Sequence, residues 1–309
     1  MRALCLPPAE SRHRRPWAWL PPGLLGNCTP AEQVTLGYLI AIALLVAAFR
    51  TRVPAWGVFV ALHALGITGL LALIQGAHVT KHPGVRAARD WHPVLFIPPL
   101  FHELSYLIHA VHPTDFDGVL IALDRWLFGV DPVLWLQQFA SPWLTEWLQL
   151  AYTSFYFFPV ILGIPLYRAG RLREFRHAQL GIVLTFYLSY LGYFLVPALG
   201  PRFAQQSLRE IPLDGLYLAT PIRQLLDRFE MAPFTRDAFP SGHVAIALMV
   251  QYYAWRYVPG LARWLLPVTA SLLVSTVYLR YHYVVDVLAG VVLAGLCLAL
   301  ARRLDREPA

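Results

Sequence analysis

The sequence predicts an all-α membrane protein, a polytopic bundle of transmembrane helices. Hydrophobic residues make up 57% of the 309 residues, charged residues only 14%, and the mean hydropathy is +0.51. An ordinary soluble domain has about 25% charged residues. The region from Arg263 to Ala301 is apolar except for a short polar group near its middle. One helix over it would be about 60 Å long, twice the roughly 30 Å core of a bilayer, so the chain must turn within it.

Apolar segments of helical length predict eight spans, a six-helix core plus two N-terminal spans. We expect them at residues 34–49, 55–76, 93–111, 147–167, 177–199 and 244–258, with two more in 263–301 that meet at about Tyr281 to Tyr283. The chain then divides into a cytoplasmic or interfacial tail (1–33), the two N-terminal spans (34–92), the core (93–301) and a C-terminal tail (302–309).

Three shorter segments have the pattern of helices that lie at the membrane surface. Two are expected within 115–140, the first capped by Asp117 and ended by Gly129, and the second at 132–139. The third lies in a loop at 200–239 and is expected to form a lid. Its apolar positions, at helical spacing, are Ile222, Leu225, Leu226 and Phe229.

The charge pattern excludes a nucleic-acid-binding protein and predicts an orientation. The net charge is +7, but the arginines separate apolar segments and do not cluster on a polar surface. Eight spans place both termini on one side, which carries 16 of the 25 Lys and Arg residues. The positive-inside rule therefore predicts cytoplasmic termini. We expect an integral protein of the plasma membrane.

Three polar clusters converge on the opposite, non-cytoplasmic face. They are Gly200-Pro-Arg202, Pro240-Ser-Gly-His243, and the segment with Arg280, His282 and Asp286. Each cluster alone is explained equally well as an ordinary helix end. Together they place ionisable side chains at membrane depth, where such groups are costly and are typical of functional sites.

These side chains suit phosphoryl transfer. Ser241, Gly242 and the first amides of the sixth span form a helix N-terminus that favours phosphate oxygens. His282 with Asp286 four residues later is typical of a nucleophile or base held by a carboxylate. His243 would be the acid and base, and Arg202 and Arg280 would bind the charged oxygens. The scheme requires no metal ion and no cofactor.

Two of these clusters resemble the second and third signature motifs of the type-2 phosphatidic acid phosphatase superfamily. The matching residues are Pro240-Ser-Gly-His243 and Ser275 through His282 to Asp286, and the resemblance covers about residues 93–301. It implies that His282 is the nucleophile that becomes a phosphohistidine, that Asp286 orients it, and that His243 is the acid and base.

Two departures from that pattern resemble the inositol phosphorylceramide synthase branch, whose members are inositolphosphotransferases. Pro197-Ala-Leu-Gly-Pro-Arg202 stands in place of the usual first motif, and Thr276 stands where an arginine is usual. Arg280 is four positions later and is expected on the same helix face. The branch implies transfer of a phosphoryl or phospho-head group from a phosphorylated lipid donor to a lipid alcohol. Hydrolysis by water is the alternative, and a non-enzymatic lipid or ion transporter is a more distant one.

Other residues remain outside this scheme. His78 and His82, and His109 and His112, have metal-ligand spacing, but a di-iron site needs more histidines. Glu103 lies within a predicted span and needs a partner, such as His102, or a water-lined cavity. The aromatic residues of 152–158 are compatible with either a lipid groove or ordinary packing.

Overall fold

Every regular element that the structure describes is a helix. The computed structural model describes residues 27–80, 82–208, 211–229 and 235–305; parts of both predicted tails, 1–26 and 306–309, lie outside these ranges. In chain order the α-helices are α1 (Pro30–Ala48), α2 (Trp56–Val79), α3 (Pro83–Asp90), α4 (His92–His102), α5 (Leu104–Val111), α6 (Asp117–Phe128), α7 (Pro132–Trp135), α8 (Pro142–Thr153), α9 (Phe158–Arg168), α10 (Leu172–Leu195), α11 (Pro201–Ala204), α12 (Ala219–Phe229), α13 (Gly242–Tyr257), α14 (Pro259–Tyr278) and α15 (Val284–Leu304). Short 3-10 segments cover Leu136–Phe139, Ser154–Phe157 and Gln206–Leu208.

The prediction of a polytopic α-helical membrane bundle is confirmed. Among the described residues six helical segments are long and apolar enough to cross a bilayer: α1, α2, the pair α8 and α9 (Pro142–Arg168), α10, α14 and α15. The pair α4 and α5 gives a seventh if it is one span. Helix α13 occupies the remaining predicted position with 16 residues, about 24 Å of helix.

The segment predicted as a span over 93–111 is a bent pair of helices. Helices α4 and α5 meet at Glu103 with a bend of 50°. Pro98 and Pro99 lie inside α4, where each lacks the amide hydrogen that would continue the helical hydrogen-bond pattern.

Helix α10 lies at the centre of the bundle. Its apolar window is 78% buried within the protein, against 17% for α2 at the periphery. Close approach to α13 is possible because residue 181 is glycine: a Cβ there would lie 2.6 Å from the Tyr253 hydroxyl. Helix α13 in turn packs against α9, α14 and α15.

The first and last described helices meet at the same end of the bundle. Three charge pairs join elements at that end: Glu32 with Arg89, Asp90 with Arg176, and His177 with Asp305. The start of α1 and the end of α15 therefore lie at the same end of the bundle. Helices α6, α7, α11 and α12 are grouped at the other end, with the three polar clusters.

The predicted surface helices are present, but Asp117 does not cap its own helix. Phe116 holds the N-cap position of α6 without a side-chain hydrogen bond, so that expectation is wrong. Gly129 ends the helix at φ +71°, as predicted. The expected helical segment at 132–139 is α7 followed by a 3-10 turn, and the amphipathic repeat of the loop is α12.

Candidate active site

The polar interruption in the last apolar region is the turn between α14 and α15, as predicted. Helix α14 ends in a Schellman motif: the Tyr281 amide donates to the Thr276 carbonyl at 3.0 Å, and the Arg280 amide donates to the Val277 carbonyl at 3.0 Å. Arg280 holds the left-handed position at φ +66°, where glycine is usual. Since the helix has already ended, the expectation that Arg280 shares a helical face with Thr276 is wrong.

Helix α6 fixes the start of α15 through its carboxylates. Asp124 accepts hydrogen bonds from the Val284 and Val285 amides at 2.8 and 2.9 Å, and it is fully buried. Burial raises the pKa of the Asp124 carboxyl, although these two amides oppose the rise. Asp117 accepts from the Tyr283 hydroxyl and from the amides of the loop after α10. The turn that bears His282 is therefore anchored from a surface helix.

His282 is oriented by a backbone carbonyl. Its Nδ1 donates to the Ala238 carbonyl oxygen at 2.8 Å, whereas Asp286 Oδ2 lies 3.6 Å from the same nitrogen. Asp286 also accepts from the Tyr283 amide at 2.8 Å and is fully buried. With the proton on Nδ1, the free lone pair of the ring is on Nε2. Ala238 thus fixes the tautomer, and the Asp286 carboxyl group lies beside the ring.

His243 lies on the first turn of α13, close to His282. Ser241 is the N-cap of α13, and its hydroxyl oxygen accepts from the Val244 amide at 3.3 Å. The Ser241 amide donates to the Asp286 carbonyl at 3.0 Å, which ties α13 to α15. The two imidazole rings are 5.7 Å apart between centroids. His243 Nε2 is buried and makes no hydrogen bond to any described residue.

An aromatic stack links His243 to Arg202. Tyr152 stacks on His243 at 4.4 Å and on Tyr281 at 4.1 Å between ring centroids. The Arg202 guanidinium lies over the other side of this stack, 5.4 Å from the Tyr281 ring. Phe155 contacts His243 at 4.2 Å. These two members of the 152–158 aromatic segment therefore hold the site in place, a role that composition alone does not indicate.

Gly242 is required by packing within the bundle. A Cβ at this position would lie 2.5 Å from the Tyr193 hydroxyl of α10. Gly290 of α15 is required for the same reason, because a Cβ at this position would lie 2.6 Å from the Ser241 carbonyl oxygen. The start of α13 is thus pressed between α10 and α15, and this fixes the direction of its first amides.

The two arginines predicted to bind phosphate have different partners, and only one of them lines the pocket at His282. Arg202, on α11, forms a two-pronged ion pair with Asp227 of α12. Arg280 is 4% exposed and donates to Gln137 and to the Ile211 carbonyl. Arg202 lines the small pocket at His282, but among the described lining residues of that pocket Arg280 does not occur.

A long apolar cavity leads to His243. Its volume is about 200 Å³, and it runs between α4, α9 and α10 from Trp91 and Phe175 to Gly242 and His243. Phe155 and Tyr156 also line it, which supports the lipid-groove interpretation for that part of the aromatic segment. A separate pocket of about 30 Å³ adjoins His282, Tyr281 and Arg202.

Asp237 lines both of these spaces and was not singled out by the sequence. It lies three residues before Pro240, at the junction of the apolar cavity and the His282 pocket. Burial raises the pKa of the Asp237 carboxyl, and nearby His282 opposes the rise. The one sequence feature that could have identified Asp237 is its position shortly before the second polar cluster.

Glu103 and His109, two ionisable residues outside the proposed scheme, each have a partner. Glu103 has His63 of α2 as its partner, at 3.3 Å, so the expectation that His102 fills this role is wrong. His109 pairs with Asp115 at 2.6 Å. Within the described ranges, no three His, Cys, Asp or Glu side chains are grouped so that they could hold a metal ion.

The motif geometry agrees with a match to a family model. The model described as PAP2 superfamily matches residues 118–300, more than half of the chain. The chain belongs to the PAP2 superfamily. The matched PAP2 region includes α6, the two histidines and Asp286, and it leaves out the two N-terminal spans.

A curated relative supports the assignment to the PAP2 superfamily. The chain is 29% identical over 175 residues to a PA-phosphatase related-family protein of Dictyostelium discoideum. That alignment covers 50% of this chain and 31% of the relative, so the chain matches about a third of the relative's length. No solved structure gives a significant match. The protein is thus an integral membrane member of a superfamily of lipid phosphatase-like proteins.

Proposed function

We propose that this PAP2 protein is a membrane phosphotransferase that acts on a phosphorylated lipid through a phosphohistidine at His282. The observation that supports this most is the placement of the two histidines. Their rings are 5.7 Å apart, with His243 at the end of an apolar cavity and His282 at a pocket that Arg202 also lines. A lipid chain in the cavity would bring its phosphate to these rings.

In the first step His282 Nε2 attacks phosphorus and the bond from phosphorus to the lipid oxygen breaks. His243 donates a proton to the departing alkoxide. Its position at the end of the apolar cavity supports this role, because the lipid part of the donor leaves on that side. Asp286 stabilises the positive charge that forms on the His282 ring. In the second step an acceptor hydroxyl gives its proton to His243, its oxygen bonds to phosphorus, and the bond from phosphorus to His282 Nε2 breaks.

The oxygens of the reacting phosphorus are held by the first turn of α13 and by Arg202. Ser241 and Gly242 present the helix N-terminus, where partial positive charge favours an anion. Arg202 adjoins the His282 pocket directly, which supports a charge-assisted contact. Arg280 contributes its charge from the adjacent cavity.

We prefer a lipid alcohol over water as the acceptor, as in the inositol phosphorylceramide synthase branch. The apolar cavity between the spans can take up the lipid part of such an alcohol and bring its hydroxyl to His243. Hydrolysis is the second candidate, and the name of the Dictyostelium relative, PA-phosphatase related, favours it. The donor is a phosphorylated lipid in both cases, and no cofactor or metal ion takes part in the scheme.

The reaction class can be decided by product identification. The purified protein is given a phosphatidate, a lipid diphosphate and a phosphodiester lipid, each labelled at phosphorus, with and without a lipid alcohol. A labelled lipid that forms only with the alcohol supports transfer, and soluble phosphate without it supports hydrolysis. Turnover that persists unchanged in His282→Ala or His243→Ala would contradict the mechanism. No conversion of any donor by the wild-type protein would leave the transporter alternative.

The site is proposed to face the non-cytoplasmic side of the plasma membrane, with residues 93–301 as the catalytic core. The excess of arginines at the opposite end of the bundle supports this orientation. Tyr217 is 82% exposed at the site end, and Arg263 is exposed at the other. A membrane-impermeant thiol reagent should label Tyr217→Cys in intact cells and Arg263→Cys only after permeabilisation. The reverse result would invert the orientation.

A further inference from the structure

The end of helix α12 contacts both parts of the candidate site. Asp227 forms the two-pronged ion pair with Arg202, which lines the His282 pocket. Two residues later Phe229 lines the apolar cavity and contacts Tyr156, with 5.9 Å between the ring centroids. The last turn of one helix therefore carries a contact to the His282 pocket and a contact to the apolar cavity.

The two ends of α12 are held in different ways. At its start the Glu146 carboxylate of α8 accepts hydrogen bonds from the amides of residues 216–219. In its second half Leu226 is buried in one apolar cluster with Tyr152 of α8. The last turn is held in part by Asp227, through an ion pair that another anion can replace. An anion that binds Arg202 can therefore loosen the last turn while the start of α12 stays in place.

The ion pair uses the hydrogen-bond donors that a phosphate group needs. Both terminal nitrogens of the Arg202 guanidinium donate to the two carboxylate oxygens of Asp227. Two phosphate oxygens accept charge-assisted hydrogen bonds from a guanidinium in the same geometry. The Arg202 side chain is 15% exposed and that of Asp227 29%, so the pair is partly shielded from water. A carboxylate of α12 thus occupies the arginine that we assign to the reacting phosphate.

We propose that Asp227 is an internal competitor for the phosphate site, and that a phosphorylated lipid displaces it from Arg202 on binding. The proposal rests on the function proposed above and adds a regulatory step to it. While Asp227 holds Arg202, anions bind more weakly, because the apparent affinity falls with the fraction of molecules in which the site is available. A phosphate on Arg202 frees Asp227, and the wall of the apolar cavity at Phe229 loosens in the same event.

The first test measures the binding of inorganic phosphate by isothermal titration calorimetry. It uses the purified full-length protein in detergent and does not depend on turnover. Asp227→Asn should bind phosphate at least threefold more tightly than wild type. The matched control is Asp214→Asn, which removes a carboxyl charge from the loop before α12, where Asp214 pairs with Arg223. It should leave the phosphate affinity unchanged.

The Arg202→Gln background separates competition from a general effect of charge. Asp227→Asn should give no gain in phosphate affinity there, because both changes act on one ion pair. Hydrogen exchange in the last turn of α12 is a second measurement. Phosphate should speed this exchange at least threefold in wild type and leave it unchanged in Asp227→Asn. The wild-type result stands even if Asp227→Asn fails to fold.

Three results would overturn the competition. They are equal phosphate affinity in wild type and Asp227→Asn, an undiminished gain in the Arg202→Gln background, and slower exchange of the last turn with phosphate in wild type. Turnover that still requires His282 would then leave the phosphohistidine function standing. Conversely, tighter phosphate binding by Asp227→Asn, with no conversion of any lipid by wild type, would refute the proposed function and leave the competition at Arg202 intact.

Discussion

The Nδ1 atom of His282 donates a hydrogen bond to the carbonyl oxygen of Ala238, 2.8 Å away. Ala238 lies two residues before Pro240, so the segment that leads into α13 also orients the ring at the start of α15. The two imidazoles are thereby held in a fixed relation by one short piece of backbone. A carbonyl cannot change its charge with pH, so the tautomer of His282 does not depend on the ionisation of Asp286.

The first prediction separates orientation from charge at His282. Asp286→Asn keeps an oxygen for the Tyr283 amide and leaves the Ala238 contact in place, but it removes the charge 3.6 Å from Nδ1. We expect kcat to fall about 10- to 1000-fold, because a unit charge near 4 Å is worth up to about 4 kcal/mol at an effective dielectric of 20. KM should change little. A kcat within twofold of wild type in steady-state assays would show that the charge has no role.

The second prediction concerns Glu146, which holds the start of helix α12. Its carboxylate accepts hydrogen bonds from the amides of residues 216–219, at 2.7 to 3.2 Å. Glu146→Ala should destabilise this segment, because the amide of buried Ala219 and three partly buried amides lose their acceptor. Hydrogen exchange over 216–229 should become about 10- to 100-fold faster.

The matched control is Glu174→Ala, which removes a carboxylate at the opposite end of the bundle, where it pairs with Arg171. Exchange over 216–229 should be unchanged in that variant. Equal exchange over 216–229 in wild type and Glu146→Ala would contradict the anchoring role.

The third prediction separates the backbone of Arg280 from its side chain. Arg280 has φ +66°, which costs a residue with a Cβ about 1 kcal/mol relative to glycine. Arg280→Gly and Arg280→Ala both remove the hydrogen bonds to Gln137 and Ile211. The glycine variant should therefore be more stable than the alanine variant by about 1 kcal/mol in thermal unfolding in detergent. Equal stabilities would mean that the turn relaxes in the variants.

The fourth prediction tests the apolar cavity as the chain site. Ala178 lines it near Phe175, about 22 Å along α10 from Tyr193, whose hydroxyl lies against Gly242. Ala178→Phe should block the far end of the cavity. The ratio of kcat/KM for a long-chain donor to that for a short-chain donor should fall at least tenfold, equivalent to about two lost methylene contacts.

Leu296→Phe is the control for this change, since Leu296 is 57% exposed on the outer face of α15. It should leave the ratio unaltered. A parallel loss for both chain lengths in Ala178→Phe, with thermal unfolding unchanged, would exclude the cavity as the chain site.

The turn and the grouping of the polar clusters could be predicted from the sequence because they follow from length and hydropathy. The apolar region was too long for one span, and its polar interruption at Arg280 to Asp286 is the turn. The start of α13 was marked by Ser241, a residue with a strong N-cap preference. These signals are local, so sequence alone carries them.

The anchoring contacts could not be predicted because each joins distant segments through backbone groups. Asp124 binds amides 160 residues later, and Glu146 binds amides 70 residues later. Because nearly every residue type has a backbone amide, the sequence does not show which amides a carboxylate will bind. Glu103 likewise finds its partner in His63, which precedes it by two helices. Arg280 was misplaced because its left-handed turn lacks the glycine that usually marks a helix end.

The most direct test of the account is to trap the phosphoryl enzyme. The purified protein is mixed with a ³²P-labelled phosphorylated lipid that has a good leaving group, quenched in alkali within milliseconds, and mapped by mass spectrometry. We expect an alkali-stable, acid-labile label on His282, absent in His282→Ala, and longer-lived in His243→Ala because its second step lacks a base. A label on His243, or full turnover with no labelled enzyme at any time, would contradict a phosphohistidine intermediate at His282.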